Sequence, residues 1–242
     1  MKTQTFQKRF YRKWVLTASL VPFEVVNKES DLYILAERDL SAGAHAALAD
    51  CRGDIERHVA REPEFLWALT PVNVAPNAAE IIREMAMAGR AFEVGPMAAV
   101  AGAVAERVGR ALLKHSESVI VENGGDIFLR AEKRPTLALY AGEESPFSGK
   151  ILFEVEAGEG VGVCTSSGTV GHSLSFGKAD AVVVVARNAA IADAAATAIC
   201  NSVKRPEDVD VAIRRFSRNG TISGLIIAIG ERIGFWGDIY LK

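Results

Sequence analysis

Residues 181–186 read Ala-Val-Val-Val-Val-Ala, an unbroken apolar run. A strand with one wet face alternates apolar and polar side chains, so an uninterrupted run of this length suits a strand covered on both faces of its sheet. A helical pattern follows from about Ala189 to Val203. Strand patterns come before it at 118–123, 126–131, 136–141, 151–157 and 160–166, several of them separated by turn residues.

The middle of the chain carries a helical period instead. Ser41 stands where a cap belongs, and Leu48, Ile55 and Val59 share one face down to Arg61. Pro63 starts a short helix through Phe65, Trp67 and Leu69. Asn77 caps a helix over Ala78–Ala88 that Gly89 ends. Pro96 opens an alanine-rich helix over about Met97–Lys114, striped with Val100, Val104, Val108 and Leu112. Nearer the start, Tyr11–Leu16 fits a strand with snorkelling Lys and Arg side chains. Val21–Val26 and Asp31–Ala36 fit two more, joined by a polar turn. Pro206 starts a further short helix, and Leu225–Ile229 with Gly234–Leu241 form the last hairpin. The sum is an α+β chain, a helical layer against a mixed β-sheet, organised as one domain over 1–242.

Composition narrows the function classes. The 242 residues are 49% hydrophobic and 24% charged, with a net charge of −2, which is ordinary globular composition. No basic field exists to hold a phosphate backbone, so nucleic acid is excluded as a partner. No run of about 20 apolar residues is present, so no membrane span is expected. The three cysteines, Cys51, Cys164 and Cys200, form no CxxC pair and leave an odd count, which fits a reducing cytoplasmic location. Aromatics are only 7%. The alanine and valine that replace them let backbones approach each other, or a ligand, closely.

Three segments carry more than packing. Asn123-Gly124-Gly125-Asp126 interrupts two strands; paired glycines there make either a tight turn or a place of backbone contact. Cys164-Thr165-Ser166-Ser167-Gly168 continues through Thr169 to His172 and Ser173, with six hydroxyl or thiol side chains at a strand end whose groups suit phosphate oxygens. Asp193 and Thr197 are four apart on one helical face amid alanines, two hard oxygen donors of the kind Mg²⁺ accepts. His45, His58 and His115 have no partner at metal-ligand spacing and read as structural or solvent-exposed. Cys51 and Cys200 read as packing residues, and Glu106 with Arg107 as a solvated helix face.

The order of these segments, Asn-Gly-Gly-Asp-Ile, then Thr-Ser-Ser-Gly with a histidine shortly after, then a buried strand followed by Ala-Asp-Ala-Ala-Ala-Thr-Ala, resembles the ApbE superfamily of flavin transferases. The similarity runs over about residues 95–230 and is strongest to the small, non-lipoprotein, cytosolic branch. It implies an α+β protein that binds FAD and, with Mg²⁺, moves its FMN part onto a threonine or serine of an acceptor protein; some members only bind or hydrolyse flavin. On this resemblance, Asp193 and Thr197 are the metal ligands. Asn123, Gly124, Gly125, Asp126, Thr165, Ser166, Ser167 and Gly168 line the FAD or FMN site, and His172 is catalytic. The stretch Val100–Glu106 has no lysine where transferases carry one, and the loop after His172 is shortened.

Two other readings stay open. The cytosolic branch is associated with sulfur assimilation into homocysteine, which would make Cys164 a sulfur carrier beside His172. The alanine-rich helices would also suit a non-catalytic binding domain that forms a homodimer.

Overall fold

The computed structural model describes residues 20–169 and 175–242. The strand expected at Tyr11–Leu16, and His172 itself, lie outside them. Among the described residues β1 (Val21–Asn27) and β2 (Ser30–Ala36) come first, followed by the helices α1 (Ser41–Arg61), α2 (Glu64–Trp67), α3 (Glu80–Phe92) and α4 (Val100–Leu112). β3 (Val119–Asn123) and β4 (Asp126–Arg130) follow, then β5 (Thr136–Ala138), β6 (Leu152–Glu154), β7 (Val161–Ser166) and β8 (Ala181–Ala186). α5 (Ala189–Ser202), α6 (Asp208–Phe216), β9 (Ile222–Ile229), β10 (Arg232–Gly237) and β11 (Tyr240–Leu241) complete it.

The α+β class read from the sequence is the class observed. The strands among the described residues divide into an eight-stranded sheet, in the order β1-β2-β3-β4-β7-β8-β9-β10, and a three-stranded sheet, β11-β6-β5. The pairings among the described residues are antiparallel.

β8 explains the layering. Val182, Val184 and Ala186 face a core built with the helices, while Ala181, Val183 and Val185 face a second core shared with β5 and β6. All six are buried. Each valine so placed stabilises the fold by about 1.5–3 kcal/mol relative to exposure, so a charge on either face would uncouple a layer. β9 divides in the same way, Leu225 and Ile227 towards the helices, Ile226 and Ala228 away from them.

Several local expectations need correction. α1 is not capped by the Ser41 side chain; Asp39 Oδ1 accepts the Ser41 N–H at 2.8 Å. Asn77 caps nothing: α3 starts at Glu80 and runs through Gly89 to Phe92, where Glu93 turns left-handed (φ 58°). Gly89 serves packing within the helix, because a Cβ there would stand 2.8 Å from the Val94 carbonyl oxygen. Pro96 opens a 3-10 turn, Pro96–Ala99, that leads into α4. The correction with most consequence is Glu106, which is buried.

Candidate functional site

Three elements meet where α5 begins. The β3–β4 hairpin turns on Gly124 (φ 70°) and Gly125 (φ 103°), two positive φ angles that the right-handed twist of the strands demands of a two-residue turn. The paired glycines are therefore a hairpin turn. Glu122 Oε1 accepts the Gly125 N–H across it at 2.8 Å. The turn sets Asp126 at the start of β4, opposite Cys164 in β7.

α5 packs on β7 and α4 at backbone distance. A Cβ on Gly162 would lie 2.3 Å from the Ala189 Cα, and one on Gly102 would lie 2.2 Å from the Ala189 oxygen. This is where the surplus of small side chains is used: with any larger residue at either position α5 could not reach its place. The Asn188 side chain caps α5 by accepting the Ile191 N–H at 3.0 Å.

That close packing buries Asp193. Its Oδ2 accepts the Gly102 N–H at 2.9 Å, and the Ala101 N–H also points to the carboxylate. Asn123 Nδ2 donates to the Ala101 oxygen at 3.1 Å, which brings the hairpin to the same spot. Asp126 Oδ1 accepts the Thr165 N–H at 3.2 Å.

The electrostatics follow from burial. Loss of water pushes the Asp193 carboxyl up to about 7 against the pull of the two amides. Burial, and then the charge of Asp193, raise Asp126 well above the carboxylate range, with the Thr165 N–H opposing. Two buried acids, one raised by the charge of the other, favour sharing a proton or a cation over carrying two charges. Thr197 lies one turn beyond Asp193 and is half-buried.

The donor set fits a hard cation. Among the described residues no group of three or more His, Cys, Asp or Glu is placed to hold a metal, so no closed, all-protein metal cage is formed. Mg²⁺ prefers the opposite: one or two protein oxygens, with water and phosphate completing its shell.

The structure thus brings together Asn123, the Gly124–Gly125 turn, Asp126, Cys164, Thr165 and Asp193. Ser166 is buried at the end of β7 and reaches the Cys200 thiol. Ser167 Oγ accepts the Thr169 N–H at 3.1 Å, and Gly168 donates to the Ala179 oxygen at 2.8 Å, so these two shape the loop beyond the strand. Cys164 lies inside β7, not at its end, and is fully buried. Its Sγ donates to the Ala189 oxygen at 3.3 Å. Burial, followed by the charges of Asp126 and Asp193, pushes its thiol well up. A sulfur carrier works as an accessible thiolate, and this is the setting of a packing residue.

Sequence reasoning missed the amides of Ala101 and Gly102 and the carboxylate of Glu106. α4 is buried on almost every side from Gly102 to Ala105. A helix of small residues all round signals burial between layers, and an acid within it needs partners. A separate surface hollow lined by Arg38, Leu40, Leu112 and His115 lies at the opposite end of α4 from Gly102. No helix among the described residues is long and apolar enough to cross a membrane.

The sequence matches the profile of the family described as AbpE bacteria over residues 12–222. It is 43% identical over 220 residues to a UPF0280 protein of Methanopyrus kandleri, covering 88% of this chain and 89% of that one. To a UPF0280 protein of Methanocaldococcus jannaschii it is 40% identical over 223 residues, covering 89% and 90%. Among solved structures, the flavin transferase ApbE from Vibrio cholerae is similar with a TM-score of 0.60 at 11% identity, covering 92% of this chain and 98% of that one. The apo form of the flavinyl transferase ApbE from Pseudomonas stutzeri gives 0.56 at 13%, covering 90% and 94%. What is shared at these identities is the fold.

Proposed function

The chain belongs to the AbpE bacteria family, and from that premise we propose that it binds FAD together with Mg²⁺ as a single ApbE-like domain and acts on the FAD pyrophosphate. The observation that carries this reading is the buried pair Asp126 and Asp193, whose raised pKa values mark a place where a cation relieves charge repulsion. Asp193 and Thr197 would hold Mg²⁺, which when bound neutralises charge on the pyrophosphate and on the departing AMP.

The chain's own groups bind and orient. Thr165, half-buried at the end of β7, and the Gly124–Gly125 turn flank the acid pair, and the Thr165 hydroxyl suits a phosphate oxygen. His172 keeps the catalytic role that the resemblance assigns to it. In the reaction, a hydroxyl oxygen of an acceptor protein, or of water, bonds to the FMN-side phosphorus. The bond from that phosphorus to the AMP oxygen breaks, and the hydroxyl proton leaves. The family resemblance and the UPF0280 relatives are compatible with transfer and with hydrolysis alike, and the products separate the two.

Thermal unfolding is measured with FAD, FMN and ADP, with and without Mg²⁺, and the FAD products are analysed by mass spectrometry. At 100 times its Kd a ligand adds about 2.7 kcal/mol, which in a chain of this size raises Tm by roughly 5–10 °C. The expected result is such a rise with FAD only when Mg²⁺ is present. No rise at saturating FAD and Mg²⁺ refutes the reading.

A further inference from the structure

Glu106 is an acid in a wall of alanine, glycine and valine, and the chemistry above gives it no task. Its side chain is 6% exposed. Oε1 accepts the Arg110 Nε–H at 2.7 Å, and the Arg110 guanidinium lies over the Phe128 ring, 5.3 Å from its centre. Oε2 crosses to the next helix and accepts the Ala189 N–H at 2.5 Å. An i,i+4 Glu–Arg pair on a wet helix face holds only itself. This one holds the first residue of α5.

Asp193 returns the contact in the other direction, to the Gly102 N–H at 2.9 Å. Gly102 and Glu106 are four positions apart along α4, and Ala189 and Asp193 are four apart along α5. The two helices are thus tied at both corners of one turn, each by a carboxylate from the other. A helix advances 1.5 Å and 100° per residue, so a slip of one residue at Ala189 would swing Asp193 about a quarter turn off α4.

We propose that Glu106 is a positioning residue: held by Arg110, its carboxylate fixes the first turn of α5 and so presents Asp193 at the start of α4 beside Asp126. The proposal deepens the reading of Asp193 as a cation ligand and rests on it for its consequence, but the placement of Asp193 is measurable without any cation.

Amide hydrogen exchange at Gly102 reports that placement, since Asp193 is the acceptor of this N–H. In the metal-free protein, well below the unfolding temperature, Glu106→Ala is expected to speed exchange at Gly102 by about tenfold or more, the size of one lost buried hydrogen bond. Glu106→Gln retains an acceptor for the Ala189 N–H and is expected to stay within about threefold of wild type. Mn²⁺, titrated in saturating FAD and followed by electron paramagnetic resonance, is expected to bind about tenfold more weakly to Glu106→Ala and nearly normally to Glu106→Gln. A residue that merely stabilises the fold would lower Tm and leave the Gly102 rate and the Mn²⁺ affinity of the folded protein unchanged, and that outcome overturns the proposal. If Glu106→Ala does not fold, Arg110→Met decides: removing the group that holds Glu106 is expected to loosen Gly102 by several-fold, and a wild-type rate refutes the idea. A wild-type protein that binds no Mn²⁺ overturns the cation reading of Asp193 instead, while the Gly102 rates still decide the role of Glu106.

Discussion

Replacing Asp193 with asparagine is expected to make the metal-free protein more stable and unable to use Mg²⁺. Burial raises the Asp193 carboxyl from 3.8 to about 7. The folded protein keeps a proton that the unfolded chain releases near pH 4. Folded stability is therefore greatest, as far as this group is concerned, below its ordinary acidity, and falls as pH rises towards 7. At 1.36 kcal/mol per pH unit the loss comes to about 4 kcal/mol, complete above pH 7. Asparagine is nearly the same size, and its Oδ1 can still accept the Gly102 N–H, but it cannot ionise. At pH 8.5 Asp193→Asn should then exceed wild type by about 2–4 kcal/mol, or roughly 5–10 °C in Tm. Part of the slope persists in the variant because Asp126 is also raised. Urea unfolding in EDTA at pH 5.5, 7.0 and 8.5 measures the difference between the two proteins. Parallel profiles, or a variant weaker than wild type at pH 8.5, would refute the argument. A site that is less stable than its neutral substitute is the usual signature of function taking precedence over folding.

Other perturbations test the same geometry. Gly102→Ala places a methyl group 2.2 Å from the Ala189 oxygen; urea titration should show a loss of about 1–3 kcal/mol or more, and a change within about 0.5 kcal/mol would mean that the helices part easily. Thr197→Val keeps shape at a half-buried position, so unfolding in EDTA should move by less than about 1 kcal/mol. Calorimetry should show Mg²⁺-dependent FAD affinity weakened by about tenfold, as expected for one lost ligand. Cys164→Ser should keep flavin chemistry, since the serine hydroxyl can still donate to the Ala189 oxygen. A persulfide on Cys164 by mass spectrometry, with loss of function in this variant, would restore the sulfur-carrier reading.

The parts of this architecture written in local pattern were readable from the sequence. The Val182–Val185 run demanded cover on both faces and has it. The glycine pair before Asp126 signals a tight turn or a place of backbone contact, and the turn is what forms, with positive φ at both glycines. Asp193 and Thr197 could be placed on one helical face because α5 is a regular helix. What local pattern does not encode is which element lies opposite. Glu106 beside Arg107 and Arg110 looks like a solvated acid, and only the arrival of α5, admitted by Gly102 and Gly162, removes its water. The end expected at Gly89 comes three residues later for a local reason: the Glu93 and Val94 N–H groups close the helix onto the Gly89 oxygen, and the missing Cβ leaves room for the Val94 oxygen. Cys164 reads as lying at a strand end because the pairing of Asp126 with Cys164, which places it inside β7, joins segments 38 residues apart.

The crossed carboxylates also bear on selectivity. A bare helix start attracts phosphate or sulfate through its free amides, but here Glu106 occupies the start of α5 and Asp193 that of α4. A lone inorganic anion approaching either helix start meets a carboxylate already seated on its amides, so neither start is an open anion site. On the proposed reading FAD and Mg²⁺ bind together here, and by linkage each would raise the other's affinity by the same factor.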